Sequence, residues 1–132
     1  MSAYEVGLRL VELCKAGKNR EAIEQLYSDD HVAVEAADLG PMGRRFEGKE
    51  ALLTMTDQFF EMNEIHGHEV EGPWPHDDAF ICTMSLDMTP RMGPMEGQRM
   101  QVKEACHYTV KDGKINSSSF FYAPSPDCTE QS

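Results

Sequence analysis

The sequence predicts an α+β fold, with three helices first and a strongly curved, mainly antiparallel sheet after them. Two observations predict this class. Apolar residues recur at helical spacing up to about residue 63, and beyond it they alternate with polar residues as they do in strands. Each predicted strand also has a single apolar face, which the helices are expected to cover. A sheet curled around its helices leaves a concave pocket at its open end, where small ligands bind.

Three segments have helical periodicity. The first covers residues 4–16 and is followed by Gly17, and the second begins at Asn19, a residue that can cap a helix. The second is expected to end at residues 28–30, which are typical of a turn, and the third covers residues 49–63. The apolar sides consist of Val6, Leu10, Leu13 and Cys14 in the first helix, Ala22, Ile23, Leu26 and Tyr27 in the second, and Leu52, Met55, Phe59 and Met62 in the third.

The strands are predicted from alternation and from the turns between them. Residues 31–37 form the first strand, and the glycine-rich residues 38–48 form a loop. A β-meander follows the third helix, and segment 72–78, which contains glycine and proline, separates its first two strands. The remaining strands are expected at residues 79–89, 98–110 and 115–123, joined by a loop at 90–97 and a tight turn at 111–114.

Length, charge and cysteine content limit the class of protein. The 132 residues have room for one domain, expected at residues 1–123, with residues 124–132 as a flexible tail. Twelve Lys and Arg against 23 Asp and Glu give a net charge of −11, which opposes binding to nucleic acid and to anionic membranes. No apolar run reaches the roughly 20 residues of a membrane span, and residues 1–18 lack the pattern of a signal peptide. The four cysteines are scattered, so we expect reduced thiols in a cytoplasmic protein without metal or organic cofactor.

Two glutamates are candidate catalytic residues because they lie among apolar neighbours. In the strand at 98–110, Glu104 shares a face with Val102 and Cys106. A buried carboxylate has either a raised pKa or a partner, so Glu104 is a candidate acid, and a structural hydrogen bond is the alternative. Glu35 lies at the end of the first strand, beside the loop, which is a natural place for a general base. An exposed carboxylate at the sheet edge is the alternative there.

Histidine supplies another candidate. His66 and His68 have strand spacing, which is a weak metal signal because no acidic residue completes a ligand set. No metal site is therefore predicted. His66 is instead a candidate hydrogen-bond partner of Glu35 or Glu104.

Large apolar residues are the candidate lining of the pocket. The chain has nine methionines, which is many for its length, and methionine lines adaptable apolar cavities. The candidate substrate-binding residues are Trp74, Phe80, Met84, Met100, Cys106, Phe120 and Phe59. Ordinary core filling accounts for the same residues and is the simpler alternative.

Three apolar residues fall on the outward side of the strands. Ile81, Ala105 and Phe121 interrupt a face that is otherwise polar. They predict a homodimer formed by the outer sheet face.

Three segments resemble a known family. They are Leu26-Tyr27-Ser28-Asp29-Asp30 before a strand, Phe46-Glu47-Gly48-Lys49-Glu50-Ala51-Leu52 at the start of a helix, and Tyr108-Thr109-Val110-Lys111-Asp112-Gly113-Lys114-Ile115 across a turn. The chain resembles, over about residues 4–122, the SnoaL-like branch of the nuclear transport factor 2-like superfamily. The resemblance implies an α+β cone with a ligand pocket between the helices and the curved sheet, and often a dimer through the outer sheet face.

The resemblance also implies roles for individual residues. Compared with the ketosteroid isomerases of the superfamily, Glu35 takes the position of the catalytic base. Leu10 replaces the helix-one tyrosine that donates to the oxyanion, and Cys106 replaces a protonated aspartate, with Glu104 one inward position earlier. Glu104 and Tyr108 are therefore the candidate acid and hydrogen-bond donor.

Two functions from different classes follow. The first is a cofactor-independent isomerase, cyclase or dehydratase, in which Glu35 takes a proton α to a carbonyl of an apolar substrate and Glu104 or Tyr108 stabilises the enolate. The second is a non-catalytic domain that binds an apolar small molecule. A buried cluster of Glu35, Glu104 and His66 favours the enzyme, whereas carboxylates tied to the backbone or to arginine favour the binding domain.

Overall fold

A computed structural model describes residues 1–37 and 43–123 of the chain. The helices are α1 (Ala3–Lys15), α2 (Asn19–Leu26) and α3 (Lys49–Met62), and the strands are β1 (Tyr27–Val34), β2 (Arg45–Glu47), β3 (Asn63–His76), β4 (Ala79–Pro90), β5 (Met100–Lys111) and β6 (Lys114–Phe121). The predicted α+β class, with three helices and a mostly antiparallel sheet, is confirmed. Residues 38–42 of the predicted loop and the predicted tail at 124–132 lie outside the described residues.

The strands of the described residues form one mixed sheet in the order β2-β1-β6-β5-β4-β3. Strands β3 to β6 are antiparallel neighbours, as expected for a meander. Strand β1 joins them by a parallel pairing with β6, in which Ala33 lies opposite Ser118. Parallel strands need a long connection, and here it contains α3 and the rest of the meander. The pairing brings the end of β1 next to the end of β6.

Helix α1 begins at a capping box, which satisfies two backbone amides of its first turn. The Ser2 hydroxyl accepts from the Glu5 amide, and the Glu5 carboxylate accepts from the Ser2 amide. Val6 and Leu10 on its inner face are fully buried against the sheet. The helix therefore covers the inner face of the sheet, as the apolar pattern predicts.

Aromatic and thiol side chains fill the core between the helices and the sheet. Phe80 on β4 stacks on Tyr108 on β5, with ring centroids 4.9 Å apart, and Tyr27 meets Tyr108 edge to face. Cys82 and Cys106 are partners in the β4–β5 register, and both are completely buried free thiols. This part of the interior is occupied by side chains, so a ligand site has to lie elsewhere.

The structure corrects three predicted boundaries. Strand β1 begins at Tyr27 and includes the expected turn at residues 28–30, where the β1–β6 register shifts. Strand β2 lies within the expected loop, and its three residues are too few for a periodic signal. Strand β3 continues to His76 through the expected break, because a shift in the β3–β4 register accommodates the cis Gly72–Pro73 peptide. In each case pairing with a distant strand overrides the local turn preference.

Candidate functional site

Glu35 lies immediately after β1, at the edge of the described part of the connection to β2. Its backbone amide donates to the carbonyl of Arg44 at 2.8 Å, so the chain is still held in strand-like pairing there. Its side chain is buried, with 9% of the residue exposed, and its Oε2 accepts a hydrogen bond of 3.0 Å from the Tyr122 hydroxyl. The alternative of an exposed edge carboxylate is therefore wrong for Glu35.

Glu104 is half-buried and lies on the inner face of β5, opposite Met84 on β4. The Cys106 thiol donates a weak hydrogen bond of 3.7 Å to its Oε1. Ala105 pairs with Phe121, so the register places Tyr122 in the position next to Glu104 on the neighbouring strand. The side-chain hydroxyl that contacts Glu35 therefore belongs to the residue that neighbours Glu104 across the sheet.

The two carboxylates differ in electrostatic environment. Burial and the nearby charge of Glu35 together raise the pKa of Glu104 to about 7, against the opposing effect of the hydrogen bond from the Cys106 thiol. Burial also raises the pKa of Glu35, but the hydrogen bond from Tyr122 opposes this shift. The charge on Glu35 favours the protonated form of Glu104. With a pKa of about 7, Glu104 is about half protonated at neutral pH.

An open depression of about 350 Å³ adjoins Glu35 at the ends of β1 and β6. Its lining consists of Val34, Glu35, Ala36, Arg44, Ser119, Phe120 and Phe121. It is of the size that holds a small organic molecule. Glu35 is the candidate base that lines it, whereas Glu104 is not among the lining residues. A second open depression, of about 310 Å³, lies near Lys15 and His68, away from both glutamates.

The predicted substrate-binding residues fall into three groups. Phe80 and Cys106 are fully buried core residues, which agrees with the alternative that these residues fill the core. Trp74 was expected in the pocket but is 53% exposed and shares the outer face with Ile81, its register partner. The remaining members, Met84, Met100, Phe120 and Phe59, are half-buried, and Phe120 alone among them lines the depression beside Glu35.

Two predicted catalytic residues lie away from the carboxylate pair. His66 is exposed on β3, where its Nε2 is hydrogen bonded to Thr89 Oγ1 at 2.7 Å, so it is not the expected partner of either glutamate. Tyr108 is 1% exposed and packed in the core, where burial raises its pKa well above the usual range. It does not line the depression.

Two polar residues near the site, Tyr122 and Arg44, and one in the core, His31, were absent from the sequence prediction. Tyr122 follows Phe120 at strand spacing, and this alternation was the available signal for an inward side chain. Arg44 lies in the expected loop, and its Nε donates to the backbone carbonyl of Glu35 at 3.2 Å. His31 is completely buried, with Nε2 hydrogen bonded to Ser118 Oγ at 3.1 Å, and burial lowers its pKa to about 4. His31 is therefore neutral at physiological pH.

The described residues offer no metal site and no membrane span. In residues 1–37 and 43–123, no three His, Cys, Asp or Glu side chains come together as a metal would require. The same ranges contain no helix that is long and apolar enough to cross a membrane.

The chain is similar to known proteins over nearly its whole length. Residues 1–122 match the model of the SnoaL-like domain family. The fold is similar to that of a candidate SnoaL-like polyketide cyclase from Mesorhizobium loti, with a TM-score of 0.85 and 38% sequence identity over 92% of this chain and 100% of that chain. No curated protein matches the chain.

Two more distant structures share the fold alone. An NTF2-like protein from Burkholderia thailandensis has a TM-score of 0.78 and 14% identity, over 99% of this chain and 96% of that chain. A hypothetical protein from Catenulispora acidiphila with a ketosteroid isomerase-like fold, in complex with trimethylamine, has a TM-score of 0.69 and 17% identity, over 92% of this chain and 88% of that chain.

Proposed function

The chain belongs to the SnoaL-like family, and from this membership together with the Glu35–Glu104 pair we propose that it is an enzyme that removes a proton next to a carbonyl group of an apolar small molecule. The reaction would be an isomerisation, a cyclisation or a dehydration. The observation that carries this proposal is a pair of interacting carboxylates, one of which lines an open depression of about 350 Å³.

Glu35 is suited to act as the general base. It lines the depression, and burial raises its pKa above the ordinary value, which makes its carboxylate a stronger base than an exposed one. In the reaction its carboxylate takes the proton from the α-carbon. The electron pair of the broken C–H bond moves into the carbonyl, which becomes an enolate.

Glu104 is suited to act as the acid. With a pKa of about 7, about half of it is protonated at neutral pH. A protonated carboxyl group can donate a hydrogen bond to an enolate oxygen, and since Glu104 does not line the depression, the substrate would have to extend past Glu35 for its carbonyl group to reach it. Two carboxylates with different environments thereby perform opposite tasks. For isomerisation, the proton held by Glu35 then returns to another carbon. For cyclisation, the enolate attacks a second carbonyl, whose oxygen takes up that proton, and for dehydration it expels a hydroxyl group, which takes up the proton and leaves as water.

A second candidate function is the binding of an apolar small molecule without catalysis. The depression has Val34, Phe120 and Phe121 in its lining, which an apolar ligand would contact. The Catenulispora acidiphila relative is in complex with a small molecule, trimethylamine. This function needs no acid or base and predicts that the glutamates can be neutralised without loss of binding.

Proton exchange in deuterated buffer tests the proposal without a known product. The protein is incubated with a panel of cyclic and aromatic ketones, and the loss of α-proton signals is followed by NMR. We expect accelerated exchange for at least one compound, and Glu35→Gln should slow it by about 10²- to 10⁴-fold, because the amide cannot accept the proton. Glu96→Gln, which alters an exposed residue in the loop after β4, is the matched control and should behave as wild type. Ligand binding without exchange, unaffected by Glu35→Gln, would favour the binding domain.

A further inference from the structure

We propose that Tyr122 is a positioning residue whose hydroxyl keeps Glu35 ionised, so that a proton taken up by either carboxylate resides on Glu104. The roles of base and acid rest on the proposed function. The protonation of Glu35 and Glu104 is a property of the free protein and can be tested without a substrate.

The first step is the hydrogen bond between Tyr122 and Glu35. The hydroxyl lies 3.0 Å from Oε2, and a phenol beside a carboxylate donates its proton to the charged oxygen. Burial and the charge of Glu35 raise the pKa of Tyr122 above its usual range, and the backbone of Ala37 lowers it. The hydroxyl therefore stays protonated at neutral pH and donates its proton to Glu35.

The second step is the difference between the two carboxylates. Glu35 receives an O–H···O⁻ bond, which is among the stronger hydrogen bonds in proteins. Glu104 receives only an S–H donor at 3.7 Å, from Cys106. A hydrogen bond to the charged form favours ionisation, so the carboxylate with the stronger hydrogen bond keeps the charge and the other one keeps the proton.

The third step is the set of groups that act on this pair. The charged and titratable groups around it are Glu35 after β1, Glu104 and Cys106 on β5, and Tyr122 after β6. Arg44, the residue before β2, also contacts Glu35, but its Nε donates to the backbone carbonyl of Glu35 and not to the carboxylate. Of these groups, Tyr122 is the one that donates to a carboxylate oxygen of Glu35.

The consequence concerns where the negative charge lies relative to the ligand. Glu35 lines the depression, whereas Glu104 is not among its lining residues. If Glu35 carries the charge, the residue that lines the depression is a base. If Glu104 carried the charge instead, Glu35 would be protonated, and the residue that lines the depression would be an acid. Tyr122 therefore assigns the two roles without touching the substrate.

Carboxylate titration by NMR tests this assignment. Carbon-13-labelled glutamate side chains are followed from pH 3 to pH 10, and the two signals are identified by their loss in Glu35→Gln and Glu104→Gln. Tyr122→Phe removes only the hydroxyl. We expect it to raise the apparent pKa of Glu35 by about 1–2 units, the equivalent of one hydrogen bond to a charged group, and to lower that of Glu104. Tyr4→Phe, which changes an exposed tyrosine on α1, is the matched control and should leave both titrations unchanged.

A purely structural tyrosine would give a different result. In that case Tyr122→Phe would have a lower melting temperature than wild type, but Glu35 and Glu104 would titrate as they do in wild type. This outcome would overturn the inference. If Tyr122→Phe does not fold, 3-fluorotyrosine is placed at position 122 alone, because it keeps the shape of tyrosine and its hydroxyl is a stronger donor. The apparent pKa of Glu35 should then fall. An unchanged pKa of Glu35 would again overturn the inference. Absence of any carbonyl substrate would reject the proposed enzyme but leave these titrations as a valid test.

Discussion

At the scale of single residues, the protonation of Glu104 links the site to stability. The folded pKa of about 7 lies above the value of an unfolded glutamate, about 4.3, so the folded state binds this proton more tightly. The stability that the protonated form contributes is complete below about pH 4 and is lost as the pH rises through 7. Ionised Glu104 is therefore a cost to the fold above neutral pH.

Glu104→Gln should remove this dependence on pH. The amide resembles the protonated carboxyl group in shape and cannot ionise. On going from pH 5 to pH 8, the free energy of unfolding of the variant should therefore rise by about 1–3 kcal/mol relative to that of wild type. The partial exposure of Glu104 to solvent keeps this difference small. Urea denaturation at the two pH values measures the difference. Glu96→Gln, at an exposed position, should show no such change. A loss of stability in Glu104→Gln at pH 8 would mean instead that the ionised carboxylate has a cationic partner.

At the scale of elements, the contact of α1 with β3 depends on one glycine. A Cβ atom added at Gly7 would lie 2.8 Å from Cβ and 3.0 Å from Cγ of Pro73, and 3.1 Å from Cδ2 of Phe80. Pro73 and Phe80 are both buried, so neither side chain has free space into which to move. The helix can therefore approach the sheet at this distance only without a side chain at position 7.

Gly7→Ala should destabilise the protein although alanine is the better helix former. The gain in helix propensity is about 1 kcal/mol, and overpacking of a rigid contact costs more, so we expect a net loss of about 1–3 kcal/mol in the free energy of unfolding. Gly67→Ala on β3 is the control, because no heavy atom lies within 4 Å of its added Cβ. Chemical denaturation of both variants measures the effect. Equal stability of Gly7→Ala and wild type would show that α1 can shift on the sheet.

At the scale of the whole molecule, the outer face of the sheet carries an apolar strip. Trp74 and Ile81 are register partners, and Ala105 pairs with Phe121. Trp74, Ile81 and Phe121 are 53%, 42% and 59% exposed, and β5, which carries Ala105, lies between the strands of Ile81 and Phe121. Three large apolar residues exposed on one face of a sheet indicate a contact surface. The strip supports the prediction of a homodimer through this face.

Light scattering should give about twice the chain mass of 14.9 kDa at tens of micromolar protein. Phe121→Asp should shift the protein towards the monomer, because it adds a charge to the contact. The net charge of −11 opposes association of two copies, so dimerisation should strengthen with added salt. Leu8→Asp, on the exposed side of α1, is the control and should leave the mass unchanged. A monomeric wild type would contradict the prediction.

The sequence by itself determined the elements and the inner faces of the strands. Periodicity located α1 and α3, and alternation located β4 and β5, because both signals come from residues that are near each other in the chain. The same alternation placed Glu104 on an inner face, and Glu35 was assigned to a strand end, where it is found. These assignments need no knowledge of which strands pair.

Only the tertiary structure decided how the site is assembled. Tyr122 and Glu35 are 87 positions apart, and their contact depends on the parallel pairing of β1 with β6. Antiparallel pairing with β1 created β2, and the registers within the sheet placed Trp74 on the outer face and His66 beside Thr89. Local patterns are set by the geometry of one element, whereas pairing and register are set by hydrogen bonds and packing between distant segments. A candidate base could therefore be found in the sequence, but its hydrogen-bond donor could be identified only in the folded chain.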